Sequence, residues 1–94
     1  MKDRIKASLY GFIVGDALGV PVEFKSRESL KRNPIIDMED NISRGTTKGY
    51  WSDDTAMTLC TMQSIIDMEE LNYELHDSMM KNYRKWLEDG YKAV

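Results

Sequence analysis

The sequence predicts an all-α fold of about three long helices and one long ordered loop, all within one small domain at most, residues 1–94. Two observations carry this. Apolar residues recur at helical spacing in three separate stretches, and Pro21 and Gly90 stand where two of those stretches should stop. No segment alternates apolar and polar residues with the period of two that a strand requires.

The first helix is expected from residue 2 to about 18, with Ile5, Leu9, Phe12 and Ile13 at helix-compatible spacings. Ala7, Gly11, Gly15 and Gly19 recur every fourth residue, a stripe of small side chains that would let another backbone approach closely. Each helical glycine costs about 1 kcal/mol relative to alanine, so close packing or site geometry should compensate. A short helix over residues 26–32 is capped by Ser26 and stopped by Asn33-Pro34. Residues 33–51 have no sustained period and read as a long ordered loop, a kind of segment that often carries function.

A second long helix should start near Asp53, with Ser52 as its N-cap, and run to about Met68. A third should begin near Asn72 and end at Gly90. On that helix His76, Met79, Met80, Tyr83, Trp86 and Leu87 follow the i, i+3, i+4, i+7 spacing of one apolar stripe. His76 is read as a packing or helix-surface residue, and Trp51 as a packing residue.

Composition narrows the function classes. A net charge of −3 removes the electrostatic case for nucleic-acid binding, which rests on clustered Lys and Arg. Cys60 is the single cysteine, so no intrachain disulfide can form and a cytoplasmic location is the default. Lys2, Arg4 and Lys6 ahead of the apolar run Ala7–Val14 imitate a secretory signal. Asp16 interrupts that pattern and the run is too short to span a bilayer, so a mature N-terminal helix with no membrane role is expected.

The segment Gly49-Tyr50-Trp51-Ser52-Asp53-Asp54-Thr55 concentrates hydroxyl and carboxylate oxygens directly before an apolar run. Hard oxygen donors suit magnesium, manganese or calcium. Carboxylates at a helix start also gain from the helix dipole without any metal, so the segment by itself supports both readings.

Gly15-Asp16-Ala17-Leu18-Gly19-Val20-Pro21-Val22-Glu23, followed by Gly49-Tyr50-Trp51-Ser52-Asp53-Asp54-Thr55-Ala56-Met57, resembles the paired motifs of the ADP-ribosylglycohydrolase family. That family includes the dinitrogenase reductase-activating glycohydrolases. Trp86-Leu87-Glu88-Asp89-Gly90-Tyr91 is similar to the family's segment beyond the metal motif. The resemblance implies an all-α fold and hydrolysis of the glycosidic bond between ADP-ribose and a protein side chain, or a related conjugate. It also implies a centre of two Mg2+ or Mn2+ ions.

Carried over, Ser52, Asp53 and Asp54 would be metal ligands, with Ser52 standing where many members have threonine. Glu23 would be the catalytic glutamate, as general base or as the group that orients water. Asp16, between Gly15 and Gly19, would organise the loop. Family members are several-fold longer, and their second ligand cluster, of Asp-x-Asp-Thr type, lies near the far end of the domain. The expectation is therefore the N-terminal part of such a domain, needing a complementary C-terminal segment or self-association and exposing apolar surface on the third helix. A non-catalytic module that binds ADP-ribose or a protein partner, and an inactive remnant, are the alternative readings.

Overall fold

A computed structural model describes all 94 residues, with four α-helices, two short 3₁₀ turns and no strand. The helices are α1 (Lys2–Gly19), α2 (Arg27–Arg32), α3 (Asp53–Leu71) and α4 (Leu75–Asp89). The chain divides into two compact units, Met1–Ser52 and Asp53–Val94.

In the first unit α1 runs directly into a 3₁₀ turn at Val20–Val22. Pro21 is tolerated there because its fixed φ suits the opening of a helical turn. Ala17, Val20 and Pro21 are buried, while Leu9 and Ile13 are half-buried. Ile5, Tyr10, Phe12 and Val14 are exposed, so α1 leaves much of its apolar surface uncovered.

The small-residue stripe does not do what its spacing predicts. A Cβ placed at Gly11, Gly15 or Gly19 meets nothing within 4 Å, so no neighbouring backbone in this chain exploits these glycines. With its 3₁₀ extension, the segment Lys2–Val22 is also longer than the apolar run seen in sequence. By length and composition alone it could cross a bilayer, a test that the core helix of a soluble protein or an export signal also passes.

The helix α2 forms as expected: the Ser26 hydroxyl accepts from the Ser29 amide at 3.1 Å, and Asn33 leaves the helical conformation. The following loop is ordered by its own side chains. Asn41 accepts from the Ser43 hydroxyl at 2.7 Å and from the Arg44 amide at 3.3 Å, which closes the second 3₁₀ turn, Ile42–Arg44. Gly45 then takes φ 68°, a left-handed conformation that glycine adopts without penalty, and Asn41 and Thr46 pair as an isolated antiparallel bridge. Asp40 accepts from the Lys48 amide at 2.6 Å.

The second unit is a helix pair. Asn72, at φ 57°, turns the chain out of α3, so α4 starts at Leu75 rather than near residue 72. Gly90, at φ 73°, ends α4 and its amide returns to the Trp86 carbonyl at 2.9 Å. Cys60 and Ser64 of α3 meet Asn82 of α4 in the seam, and Thr55 and Ala56 of α3 and Ser78 of α4 are also buried.

Met79, Tyr83 and Trp86 flank that seam, but His76, Met80 and Leu87 point to solvent. The buried face of α4 is thus rotated from the stripe expected in sequence, because polar residues occupy its centre. Asn82 donates to the Ser64 hydroxyl at 2.8 Å, Ser64 donates to the Cys60 carbonyl at 2.9 Å, and the Tyr83 and Thr61 hydroxyls are bonded to each other. With partners in place, such groups are buried without the desolvation cost that excludes them from a purely apolar count. Of the apolar surface expected to be exposed along Met79, Met80, Tyr83 and Trp86, Met80 is exposed and the other three are half-buried, while α1 carries the larger uncovered apolar surface.

Candidate functional site

Asp16 lies in the last turn of α1, where its carboxylate meets the end of the long loop. Its Oδ2 accepts from the Ser52 amide at 2.9 Å and its Oδ1 accepts from the Ser52 hydroxyl at 2.7 Å. Both residues are half-buried. A carboxylate that takes two donors from one residue fixes that residue's backbone and its χ1 together, and hydrogen bonds to a charged acceptor are stronger than neutral ones. A serine hydroxyl has one proton and two lone pairs, so donation to Asp16 is compatible with the oxygen also acting as a ligand.

Asp53 and Asp54 are the first two residues of α3 and both are exposed to solvent. The unsatisfied amides at a helix start favour negative charge there. With Ser52 directly before them in the chain, these residues supply hard oxygen donors, two carboxylates and a neutral hydroxyl, that suit Mg2+ or Mn2+ in kind. In number they fall short of a full coordination sphere: no three His, Cys, Asp or Glu side chains in this chain converge as a metal-holding group.

Glu23 follows the Val20–Val22 turn, and its position is set by the loop at 41–46. The Arg44 guanidinium approaches Glu23 Oε2 at 3.2 Å, and the same nitrogen, Nη1, donates to the Val20 carbonyl at 3.0 Å. Asn41 Nδ2 donates to the Pro21 carbonyl at 2.7 Å. Two loop side chains therefore hold carbonyls of the turn that presents Glu23. The Arg44 guanidinium also sits 5.2 Å from the centre of the Phe24 ring. Phe24 is itself unusual, at φ 69° and 88% exposed. Thr46 Oγ1, in the same loop, is buried and without a hydrogen-bond partner.

The structure thus brings Asp16 to Ser52 and brings Glu23 to Arg44. Gly15 and Gly19 flank Asp16 on α1 and make no close approach of their own. His76 is a surface residue, 3.8 Å from Asp77 Oδ1. Trp51 is half-buried.

Sequence reasoning missed Asn41, Arg44 and Phe24. The signal available for the loop was Asn41 followed four residues later by Gly45, an Asx-type turn opening onto a left-handed glycine. No local signal pairs Arg44 with Glu23.

The sequence pattern of the ADP-ribosylglycohydrolase family matches residues 1–93. An ADP-ribosylarginine hydrolase, Tri1, of Pseudomonas putida is 29% identical over 92 residues, which is 98% of this chain and 23% of the relative. The Tri1 hydrolase of Serratia proteamaculans is 35% identical over 83 residues, covering 87% of this chain and 22% of that protein. YegU, an uncharacterised protein of Escherichia coli, is 32% identical over 74 residues, covering 71% of this chain and 22% of its own length. The chain therefore spans under a quarter of the length of these relatives. No solved structure matches it.

Proposed function

The chain belongs to the ADP-ribosylglycohydrolase family, and from that premise we propose that it serves the metal-dependent hydrolysis of the bond between ADP-ribose and an arginine side chain of a modified protein. The arginine acceptor rests on the names of the Pseudomonas and Serratia relatives. The metal rests on the donor chemistry of Ser52, Asp53 and Asp54.

In this reading the bond from the ribose anomeric carbon to the guanidino nitrogen breaks, a water oxygen bonds to that carbon, and arginine leaves with the proton its nitrogen needs. Mg2+ or Mn2+, two ions in the complete site, would supply charge stabilisation at the ribose hydroxyls and the incoming water. Ser52, Asp53 and Asp54 would hold one side of that centre. Glu23 would accept the water's proton or orient the water. Asp16 positions Ser52 by accepting from its amide and its hydroxyl, and this pair of hydrogen bonds immediately before the Asp53-Asp54 pair is the observation on which the reading leans most. We place the activity in the cytoplasm, in keeping with a single, buried thiol.

Release of ADP-ribose from ADP-ribosylated arginine tests the proposal. It is measured with this chain and with a chimera in which the chain replaces the matching segment of the Serratia relative. Mg2+-dependent release that Asp53→Ala and Asp54→Ala abolish is the expected result. ADP-ribose binding that needs no metal, with no turnover from chain or chimera, would instead make the chain a non-catalytic ADP-ribose-binding module.

A further inference from the structure

Glu23 closes a turn through its backbone amide, which donates to the Val20 carbonyl, but its side chain takes its partner from the loop beyond the turn. It follows a three-residue 3₁₀ turn, has left helical geometry at ψ 137°, and its side chain is 45% exposed. A glutamate with three side-chain torsions in such a place samples several rotamers unless something outside the turn holds it. The structure supplies one holder. Arg44 Nη1 lies 3.2 Å from Glu23 Oε2 and 3.0 Å from the Val20 carbonyl, so the guanidinium is anchored to the backbone of the very turn whose side chain it pairs with.

That anchoring matters more than the charge pair. An ion pair between partly exposed side chains contributes little to stability, because solvent screens it and two long side chains must be ordered. An arginine already ordered by other contacts has lost that entropy before it meets the carboxylate. The Arg44 side chain has two such contacts, the Val20 carbonyl and the Phe24 ring at 5.2 Å from its guanidinium carbon, and its backbone is fixed by its own amide, which donates to Asn41 Oδ1 at 3.3 Å. Asn41 in turn ties the loop to the Pro21 carbonyl. Phe24 is held at φ 69°, a conformation that costs a non-glycine residue and persists where surrounding contacts enforce it.

We infer that Arg44 is a positioning residue for Glu23: it fixes the orientation of the Glu23 carboxylate through a guanidinium docked on the Val20 carbonyl and the Phe24 ring. This rests on the reading of Glu23 as the group that acts on water. Lysine cannot replace arginine fully here, because an ammonium on a flexible stem lacks the planar fork and the stacking face.

Two measurements test the inference and separate its failure from failure of that reading. The first uses the 94-residue chain labelled with 13C, and reads the side-chain couplings of Glu23. One dominant rotamer is expected in the parent, rotamer averaging in Arg44→Ala, and partial order in Arg44→Lys, with α1 resonances unchanged in both. Averaging already present in the parent, or order retained in Arg44→Ala, overturns the inference.

The second compares kcat and KM for ADP-ribosylarginine in the chimera with the Serratia relative. Arg44→Ala should lower kcat roughly tenfold to a hundredfold with little change in KM, the loss that a misplaced catalytic group produces. It should add almost nothing in a Glu23→Gln background, and Arg44→Lys should restore part of the rate. A low kcat in Glu23→Gln alongside an unchanged one in Arg44→Ala would sink the role of Arg44 alone. An unchanged kcat in Glu23→Gln, or a parent chimera without turnover, would sink the reading of the site, and the rotamer measurement would then decide whether Arg44 orders Glu23.

Discussion

Asp16 takes both hydrogen-bond donors of Ser52, the amide at 2.9 Å and the hydroxyl at 2.7 Å, and so joins the end of α1 to a residue 36 positions away. That contact closes the long loop at its far end, while Asn41 and Arg44 organise its middle. Asp16→Ala would remove the charged acceptor of the Ser52 amide and hydroxyl, at a cost of about 2 kcal/mol. Asp16→Asn keeps one acceptor oxygen and should cost about half as much. Urea denaturation followed by Trp51 fluorescence in a Trp86→Phe background measures this directly. Equal midpoints for parent and Asp16→Ala would show that Ser52 is held by something else.

Asp53 and Asp54 make a prediction whose sign depends on the metal. Without Mg2+, replacing each by Asn removes a favourable charge at the start of α3 and should cost about 0.5 kcal/mol, less at high salt. With Mg2+ at ten times its dissociation constant, a chain that binds the ion only when folded gains about 1.4 kcal/mol. The double variant Asp53→Asn, Asp54→Asn should lose that gain entirely. Thermal melts with and without Mg2+ check both parts, and a Mg2+ gain that survives in the double variant rules these carboxylates out as ligands.

The elements that sequence made legible are those set by local chemistry. Ser26 before a short polar helix, and Gly90 after a periodic one, act within four residues of themselves, and both appear as expected. The face of α4 was less legible, because Ser78 and Asn82 are buried through partners on α3 that a count of apolar residues cannot register. The stripe of Gly11, Gly15 and Gly19 misled for the opposite reason: the spacing permits a close approach, but permission is not contact. At the candidate site, Asp16, Glu23 and Ser52 stood out through motif. The pairing of Glu23 with Arg44 did not, since 21 residues separate them and a loop with no period carries one partner.

Cys60 predicts a pH dependence. Burial in the α3–α4 seam pushes its thiol above the ordinary range, with Lys92 and Lys85 opposing that shift. An unfolded thiol titrates near 8.5. Above that pH the unfolded chain has released a proton that the folded chain still holds, so the unfolded state is stabilised relative to the folded one and stability falls. The contribution of the neutral thiol is therefore complete below about pH 8.5 and is lost as pH rises toward the higher folded value. Cys60→Ala should flatten the alkaline limb of a stability profile between pH 8 and 10 relative to the parent. Parallel limbs would mean that the thiol titrates alike in both states. In the folded parent, alkylation of Cys60 should proceed only as fast as the helix pair opens.

The uncovered surface of α1 predicts behaviour in solution. Tyr10, Phe12 and Val14 are 68%, 46% and 48% exposed, and Ile5 is 52% exposed, on a helix whose buried contribution is confined to Ala17. Apolar side chains exposed in such density are covered by association when a partner surface is offered, and the helix itself can offer one to another copy of the chain. The midpoint of thermal unfolding should then rise with protein concentration, because association stabilises the folded chain by mass action. Phe12→Glu places a charge within this surface and should abolish the concentration dependence while leaving the α3–α4 pair folded by circular dichroism. A sharp transition above about 55 °C, independent of concentration, would be ordinary single-domain behaviour and would show that α1 is stable with its apolar side chains in water.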